Sequence, residues 1–255
     1  MLKMIKYEYR KSLTSLLCML GGYAMIEVYL LISAYVLEDE IHFSAALTLL
    51  LIAAYISYFL VMIFGVTSYS KELKQKSGYL LFMTPVSSYK ILGAKLLTNL
   101  INGVIMVAVI AVLFITGFRI GEDKFSFGNV LKSIEELYNE MGGSWSEVIA
   151  KILVFIFLFL LVTYMTVVVA YFAISLSATI LQNKKGKGAI GVLLFVVIIV
   201  LVYAVGYQLP TLDFDVSSAF AKDVLDDLPI ILWFLASAVA AYIGSATLLE
   251  KKISL

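Results

Sequence analysis

The chain carries few residues that could perform chemistry, and their spacing matches no catalytic motif. It has one cysteine, Cys18, and one histidine, His42, which excludes metal sites built from several Cys and His ligands. Gly186, Lys187 and Gly188 follow one another, but the nucleotide-binding pattern G-x-x-x-x-G-K-[ST] does not occur, nor do G-x-S-x-G and H-E-x-x-H. We therefore predict no catalytic residue, no metal and no cofactor in this chain.

One acidic residue, Glu27, stands in the middle of an apolar stretch. A carboxyl group at membrane depth usually faces a protein interior or water and marks a functional site. The alternative is a protonated or hydrogen-bonded packing residue, paired with one of the many tyrosines. Both interpretations of Glu27 stay open at the level of the sequence.

The composition indicates which elements must position these residues. Of the 255 residues, 62% are hydrophobic and 15% are charged, against roughly 45–50% and about 25% in soluble domains. A chain of this size buries only about three quarters of its surface on folding. The apolar excess therefore predicts a protein that is embedded in lipid.

Apolar runs of about 20 residues can cross the hydrocarbon core as helices. The N-terminal run is longer than the apolar core of a signal peptide, so we interpret it as a retained first span. We predict an all-α polytopic membrane protein with a single transmembrane permease domain, 1–255. Its six spans are expected at about 16–36, 47–67, 92–117, 150–180, 189–207 and 229–249.

Basic residues orient these spans, because cytoplasmic loops carry an excess of Lys and Arg. With the N-terminus inside, the inner segments hold 14 of the 19 basic residues and 3 of the 18 acidic residues, a net charge of +11. The outer segments hold 5 basic and 14 acidic residues, a net charge of −9. We predict a plasma-membrane protein with both termini in the cytoplasm.

The connection between spans two and three is longer than an ordinary loop and has the pattern of a separate element. Charged and polar residues alternate there with apolar ones, which predicts a cytoplasmic helix with one apolar face. Gly78 weakens this helix, and Pro85 ends it by disfavouring helical geometry at Thr84. Ser87 or Ser88 can then cap span three. The result is a helical lever, at 69–90, joined to a membrane helix.

This segment resembles the corresponding loop of type-2 ABC exporter permeases. In that loop an acidic residue, a glycine, a hydrophobic run, Pro-x-Ser and a lysine follow the second span, and the same order occurs here with Gly78-Tyr79 in place of the common Gly-Thr. The resemblance implies a coupling helix that docks on an ATPase. The docking residues it implies are Glu72, Leu73, Gly78, Leu80, Leu81, Phe82, Pro85 and Ser87, and Lys95 matches the lysine of the pattern.

The resemblance also implies partners. ATP and Mg would be bound by a separate ABC ATPase subunit dimer, and a second permease copy or paralogue would complete an exporter. No nucleic-acid partner is expected. In the sixth span Ala236, Ala240 and Gly244 recur every fourth residue, which predicts a face for close helix packing within the chain or against a second protomer.

Two other classes of function compete with the exporter. One is an ion- or proton-coupled secondary transporter, although Pro85, Pro210 and Pro229 all lie outside the span interiors and so do not indicate broken helices. The other is a membrane immunity or scaffold protein that transports nothing.

Overall fold

The computed structural model describes residues 2–74, 87–125, 145–180, 187–210, 212 and 224–253. These residues form helices, with no β-strand among the parts described. In chain order the helices are α1 (Leu2–Ile32), α2 (Glu40–Lys74), α3 (Ser88–Phe125), α4 (Trp145–Ile180), α5 (Lys187–Gln208) and α6 (Leu228–Ile253).

All six helices are long and apolar enough to cross a bilayer. Every backbone donor and acceptor within such a helix is satisfied internally, which is what the hydrocarbon core demands. Large apolar side chains remain exposed along the helices, including Leu51, Phe155 and Leu193. The prediction of an all-α, multi-pass membrane protein with six spans is confirmed.

The helices extend beyond several of the predicted spans. α1 begins at Leu2 rather than near residue 16, because the residues before Leu16 continue the same buried helical face with Glu8. α2 runs on to Lys74, and α3 begins at Ser88, directly after Ser87. The apolar stretch marks only the part of each helix that lies in hydrocarbon.

A tight connection separates α1 from α2. α1 ends in a π-helical turn, Ser33–Leu37, and Glu38 follows in the left-handed region with φ of 49°. The Asp39 carboxylate then accepts the Ile41 backbone N–H at 2.9 Å. This side chain caps the start of α2, as Asp does at helix N-termini.

The described residues fall into two compact units. The first contains the residues up to Gly65 and those of α3 from Gly93 onward. Its core is a cluster of apolar side chains from α1, α2 and α3, namely Leu16, Tyr23, Leu50, Val61 and Met106. A smaller cluster lies near the α1–α2 connection and contains Leu30, Ala34, Phe43 and Ala46.

The second unit contains Val66–Leu92 and the chain from α4 onward. Within it, α4 packs against both α5 and α6. The Trp233 indole N–H of α6 donates to the Val202 carbonyl of α5 at 2.9 Å. α2 and α3 each run through both units, and the single domain expected from the sequence stays a prediction.

Candidate functional site: a polar seam between α1 and α3

The most strongly buried charges of the first unit form one ion pair. Lys95 of α3 donates from Nζ to Glu8 Oε1 of α1 at 2.6 Å, and the two side chains are 3% and 9% exposed. A charge at such a site must be paired, because removing it from water is expensive. The pair therefore joins α1 to α3.

A second polar contact lies one helical turn further along α1. Asn102 Nδ2 donates to Ser12 Oγ at 2.9 Å, and Ser12 Oγ donates in turn to the Tyr9 carbonyl at 3.0 Å. On the neighbouring turn of α3, Asn99 packs against Gly65 of α2, where a Cβ would stand 2.9 Å from the Asn99 side chain. Gly65 thus permits a close approach of α2 and α3.

Glu27 lies nearer the C-terminal end of α1 than Ser12 does and also faces α3. Its Oε1 is 3.4 Å from Thr116 Oγ1, but that hydroxyl has a shorter bond, 2.9 Å, to the Leu113 carbonyl. Glu27 Oε2 is buried and has no hydrogen-bond partner among the described residues. The carboxyl group of Glu27 is therefore only weakly satisfied in this structure.

The last contact of the series lies beyond the π-helical turn. Lys124 Nζ is 3.8 Å from Glu38 Oε1 and 5.1 Å from the centre of the Tyr35 ring. Both side chains of this ion pair are substantially exposed, so it adds little to stability.

These four contacts define the α1–α3 polar seam. The sequence separation of the partners stays between 86 and 90 from one end to the other, so the two helices run parallel. Two helices that run in the same direction within one unit cross the membrane the same way. The seam consists of Glu8–Lys95, Ser12–Asn102, Glu27–Thr116 and Glu38–Lys124.

The second unit contains a buried aromatic cluster where α2 approaches its C-terminal end. Tyr69 is fully buried and its ring centre is 4.4 Å from that of Tyr171 of α4. Ser175 Oγ donates to the Tyr171 carbonyl at 2.9 Å, so Tyr69 is the donor in the short hydrogen bond between its hydroxyl and Ser175 Oγ. This cluster fixes the last turns of α2 to α4.

The first turn of α3 is fixed in the same unit. Tyr242 of α6 donates its hydroxyl to the Tyr89 carbonyl at 2.7 Å, and the two rings meet edge to face at 6.0 Å. Both helical ends that flank residues 75–86 are thus held by buried or partly buried tyrosines.

The residues of the expected coupling segment are described only in part. Glu72 and Leu73 belong to α2, where Glu72 is buried and Leu73 is half-buried, and Ser87 is exposed just before α3. The docking role of Glu72 and Leu73 stays a prediction. The other residues named for docking, Gly78, Leu80, Leu81, Phe82 and Pro85, lie outside the described residues.

The small-residue face of α6 divides between two environments. Gly244 faces α4, where a Cβ would come within 2.7 Å of the Phe172 ring. Ala236 and Ala240 are exposed. Only one of the three residues therefore serves close packing within the second unit.

Neither a metal centre nor a match to another protein defines this site. Within the parts of the chain that the structure describes, no three His, Cys, Asp or Glu side chains lie close enough to hold a metal ion. Comparison of the chain with family models, curated proteins and solved structures gave no match.

The Glu8–Lys95 pair escaped the sequence analysis, which counted both residues as cytoplasmic charges. The position of each residue among buried residues of its own helix could have indicated that it is buried. Glu8 lies on the same face of α1 as Leu16, and Lys95 lies between the buried residues Leu92, Ala94 and Thr98. A charged residue in a buried helical stripe indicates a partner on a neighbouring helix, but the sequence does not say which one.

Proposed function

We propose that the chain is the membrane permease subunit of an ATP-binding-cassette exporter. It lies in the plasma membrane with both termini in the cytoplasm, works with a second permease copy or paralogue, and is driven by ATP hydrolysed on separate ATPase subunits. The chain contributes no bond chemistry. Its function is a shift between two helix packings that differ in stability when the partner binds or hydrolyses ATP.

The observation that carries the proposal is the length of the helices on either side of residues 75–86. α2 has 35 residues and α3 has 38, which at 1.5 Å per residue gives about 52 and about 57 Å. The hydrocarbon core is only about 30 Å thick. Residues 75–86 are therefore joined at both ends to continuous helices that reach beyond the hydrocarbon.

Each of these helices also has a buried attachment close to that segment. Tyr69 binds α2 to α4, Tyr242 binds the start of α3 to α6, and Lys95 binds α3 to α1. A force applied at residues 75–86 would thus be transmitted to α1, α4 and α6 through specific contacts. This arrangement suits a segment on which an ATPase acts.

The test is purification of the tagged chain from its native membranes, followed by measurement of ATP turnover in the complex. We expect an ATPase subunit to co-purify, and Gly78→Pro or Pro85→Ala to reduce the coupled turnover at least tenfold. Pro210→Ala is the matched control, because Pro210 is an exposed proline on another connection. Full transport activity without any ATPase would contradict the proposal.

A second candidate function, proton-coupled transport, is favoured by one observation. Glu27 Oε2 is buried without a hydrogen-bond partner in the described structure, and intramembrane carboxyl groups serve as proton relays in transporters. Such a transporter would work from an ion gradient alone.

A further inference from the structure

A long apolar groove lies between α1 and α2 in the first unit. Its volume is about 760 Å³. It is lined on α1 by Thr14, Cys18, Gly22 and Met25 and on α2 by Ile56 and Leu60, among others. Met25 is 72% exposed and Ile56 is 53% exposed, so at membrane depth the groove opens sideways to lipid.

The polar groups on the floor of this groove are already satisfied. The Tyr23 hydroxyl and Ser57 Oγ both donate to the Ala53 carbonyl, at 3.1 Å and 2.8 Å. Both hydroxyl protons are thus used within the protein, and most of the remaining lining is apolar. Hydrocarbon is therefore the chemistry that fits the groove.

The dimensions suit an extended hydrocarbon chain. The lining runs along α1 from Thr14 to Tyr29, about 22 Å at 1.5 Å per residue. One leaflet contributes about 15 Å of a hydrocarbon core about 30 Å thick. The groove is thus longer than one leaflet is thick, and an acyl chain that enters from the N-terminal end of α1 can lie along about the first 15 Å of it.

The N-terminal end of the groove is strongly basic. The first turns of α1 carry four basic residues, and the only acidic residue among them, Glu8, is neutralised by Lys95. Lys11 lies one turn before Ser15, on the side of α1 that lines the groove. Basic clusters next to a membrane helix attract anionic headgroups. The four residues are Lys3, Lys6, Arg10 and Lys11.

We propose that this groove binds an anionic phospholipid of the surrounding bilayer. One acyl chain lies between α1 and α2, and the phosphate group lies against the basic first turns of α1. The site is independent of the proposed ATPase partner. It makes the activity of the protein depend on anionic lipid, whatever substrate the protein transports.

Native mass spectrometry of the purified full chain tests the proposal by titration with phosphatidylglycerol and with phosphatidylcholine of the same acyl chains. We expect phosphatidylglycerol to bind on the order of tenfold more tightly. Arg10→Gln together with Lys11→Gln should remove the preference. Lys251→Gln together with Lys252→Gln changes the net charge equally and should leave the preference in place.

Two glycines provide a matched test of the acyl chain. A Cβ at Gly21 or at Gly22 would meet no atom within 4 Å, but only Gly22 lines the groove. Gly22→Leu should therefore weaken phosphatidylglycerol binding about tenfold, whereas Gly21→Leu should not.

Three results would overturn the proposal. The first is equal binding of the two lipids by the wild-type chain. The second is equal lipid binding by the two leucine variants. The third is a dimer that Gly22→Leu dissociates while lipid binding stays unchanged, which would assign the groove to a second copy of the chain. None of these measurements involves an ATPase, so a result that overturns the lipid site does not affect the proposed function.

Discussion

The Glu8–Lys95 pair shows how two charges can be retained in the interior of a helical membrane protein. Both side chains are almost completely buried, and their opposite charges lie 2.6 Å apart. The net stabilisation from such a pair is small, because desolvation offsets the attraction. Its contribution to specificity is larger, since the contact between Lys95 and Glu8 forms only when α3 is in register with α1.

Removing one member of the pair should destabilise the protein strongly. Lys95→Met leaves the Glu8 carboxylate buried without its partner, so we expect the free energy of unfolding to fall by about 3 kcal/mol. The measurement is unfolding of the purified chain in mixed micelles of increasing SDS fraction. Lys90 is an exposed lysine of the same helix, and Lys90→Met should change the free energy of unfolding by less than about 0.5 kcal/mol.

The double variant Glu8→Leu with Lys95→Met separates an ion pair from simple packing. It leaves neither member of the pair buried without the other, so we expect it to regain stability to within about 1 kcal/mol of the wild type. A double variant that is as unstable as the sum of the two single variants would show that the pair is not what joins α1 to α3.

Substitution of Glu27 distinguishes the two candidate functions, ATP-driven export and proton-coupled transport. If an ATPase drives the protein, Glu27→Gln should change the transport rate by less than about threefold, because the neutral amide keeps the size of the side chain and can still contact Thr116. If a proton gradient drives it, the variant should abolish transport. The measurement is uptake into inverted vesicles, energised in turn by ATP and by a pH gradient.

Helix packing in the second unit is most tightly constrained where α6 meets α4. Gly244→Leu would force a side chain into the space of the Phe172 ring, and overpacking of this kind costs about 1–3 kcal/mol. Ala240→Leu introduces the same side chain one turn away at an exposed position and should leave the free energy of unfolding nearly unchanged. Equal loss in both variants would indicate that the whole small-residue face is buried against another chain.

The contact between α2 and α4 should weaken when the hydroxyl oxygen of Tyr69 is removed. Tyr69→Phe removes the donor to Ser175 but keeps the ring in contact with that of Tyr171, so the loss of stability should be about 1 kcal/mol. The proposed function predicts in addition a larger loss of ATP-coupled turnover than of stability. Ile63→Val, which removes one methyl group at an exposed position of the same helix, is the control for changes in α2 itself.

The existence of the six helices was predictable from the sequence, whereas several of their ends were not. Apolar runs reveal where a helix is in contact with lipid, and all six runs lie within helices. The polar extension of α1 carries no such signal, because its stability comes from tertiary contacts such as that of Glu8. The extensions of α2 and α3 were indicated instead by the polar–apolar pattern after span two and by the capping residues Ser87 and Ser88. The partners of buried polar residues could not be predicted from the sequence for the same reason, because the packing of segments far apart in the chain decides which residues pair.

At the scale of the whole molecule, the account depends on the direction in which the chain crosses the membrane. The charge asymmetry predicts cytoplasmic termini, and the parallel course of α1 and α3 agrees with the one intervening crossing, that of α2. Single cysteines placed at residues 3 and 251 in a Cys18→Ala background should react with a membrane-impermeant maleimide only after the membrane is opened. A cysteine at position 212 should react in intact cells, and the reverse pattern would place residues 75–86 outside.

The most direct measurement of the central claim is site-specific cross-linking at residues 75–86. A photoactivatable probe on Leu80→Cys, in the Cys18→Ala background, should form a cross-link to an ATPase subunit in native membranes, with a yield that depends on nucleotide. The same probe on Leu212→Cys should form none. A probe at position 80 that captures no ATPase in actively transporting membranes would contradict the account.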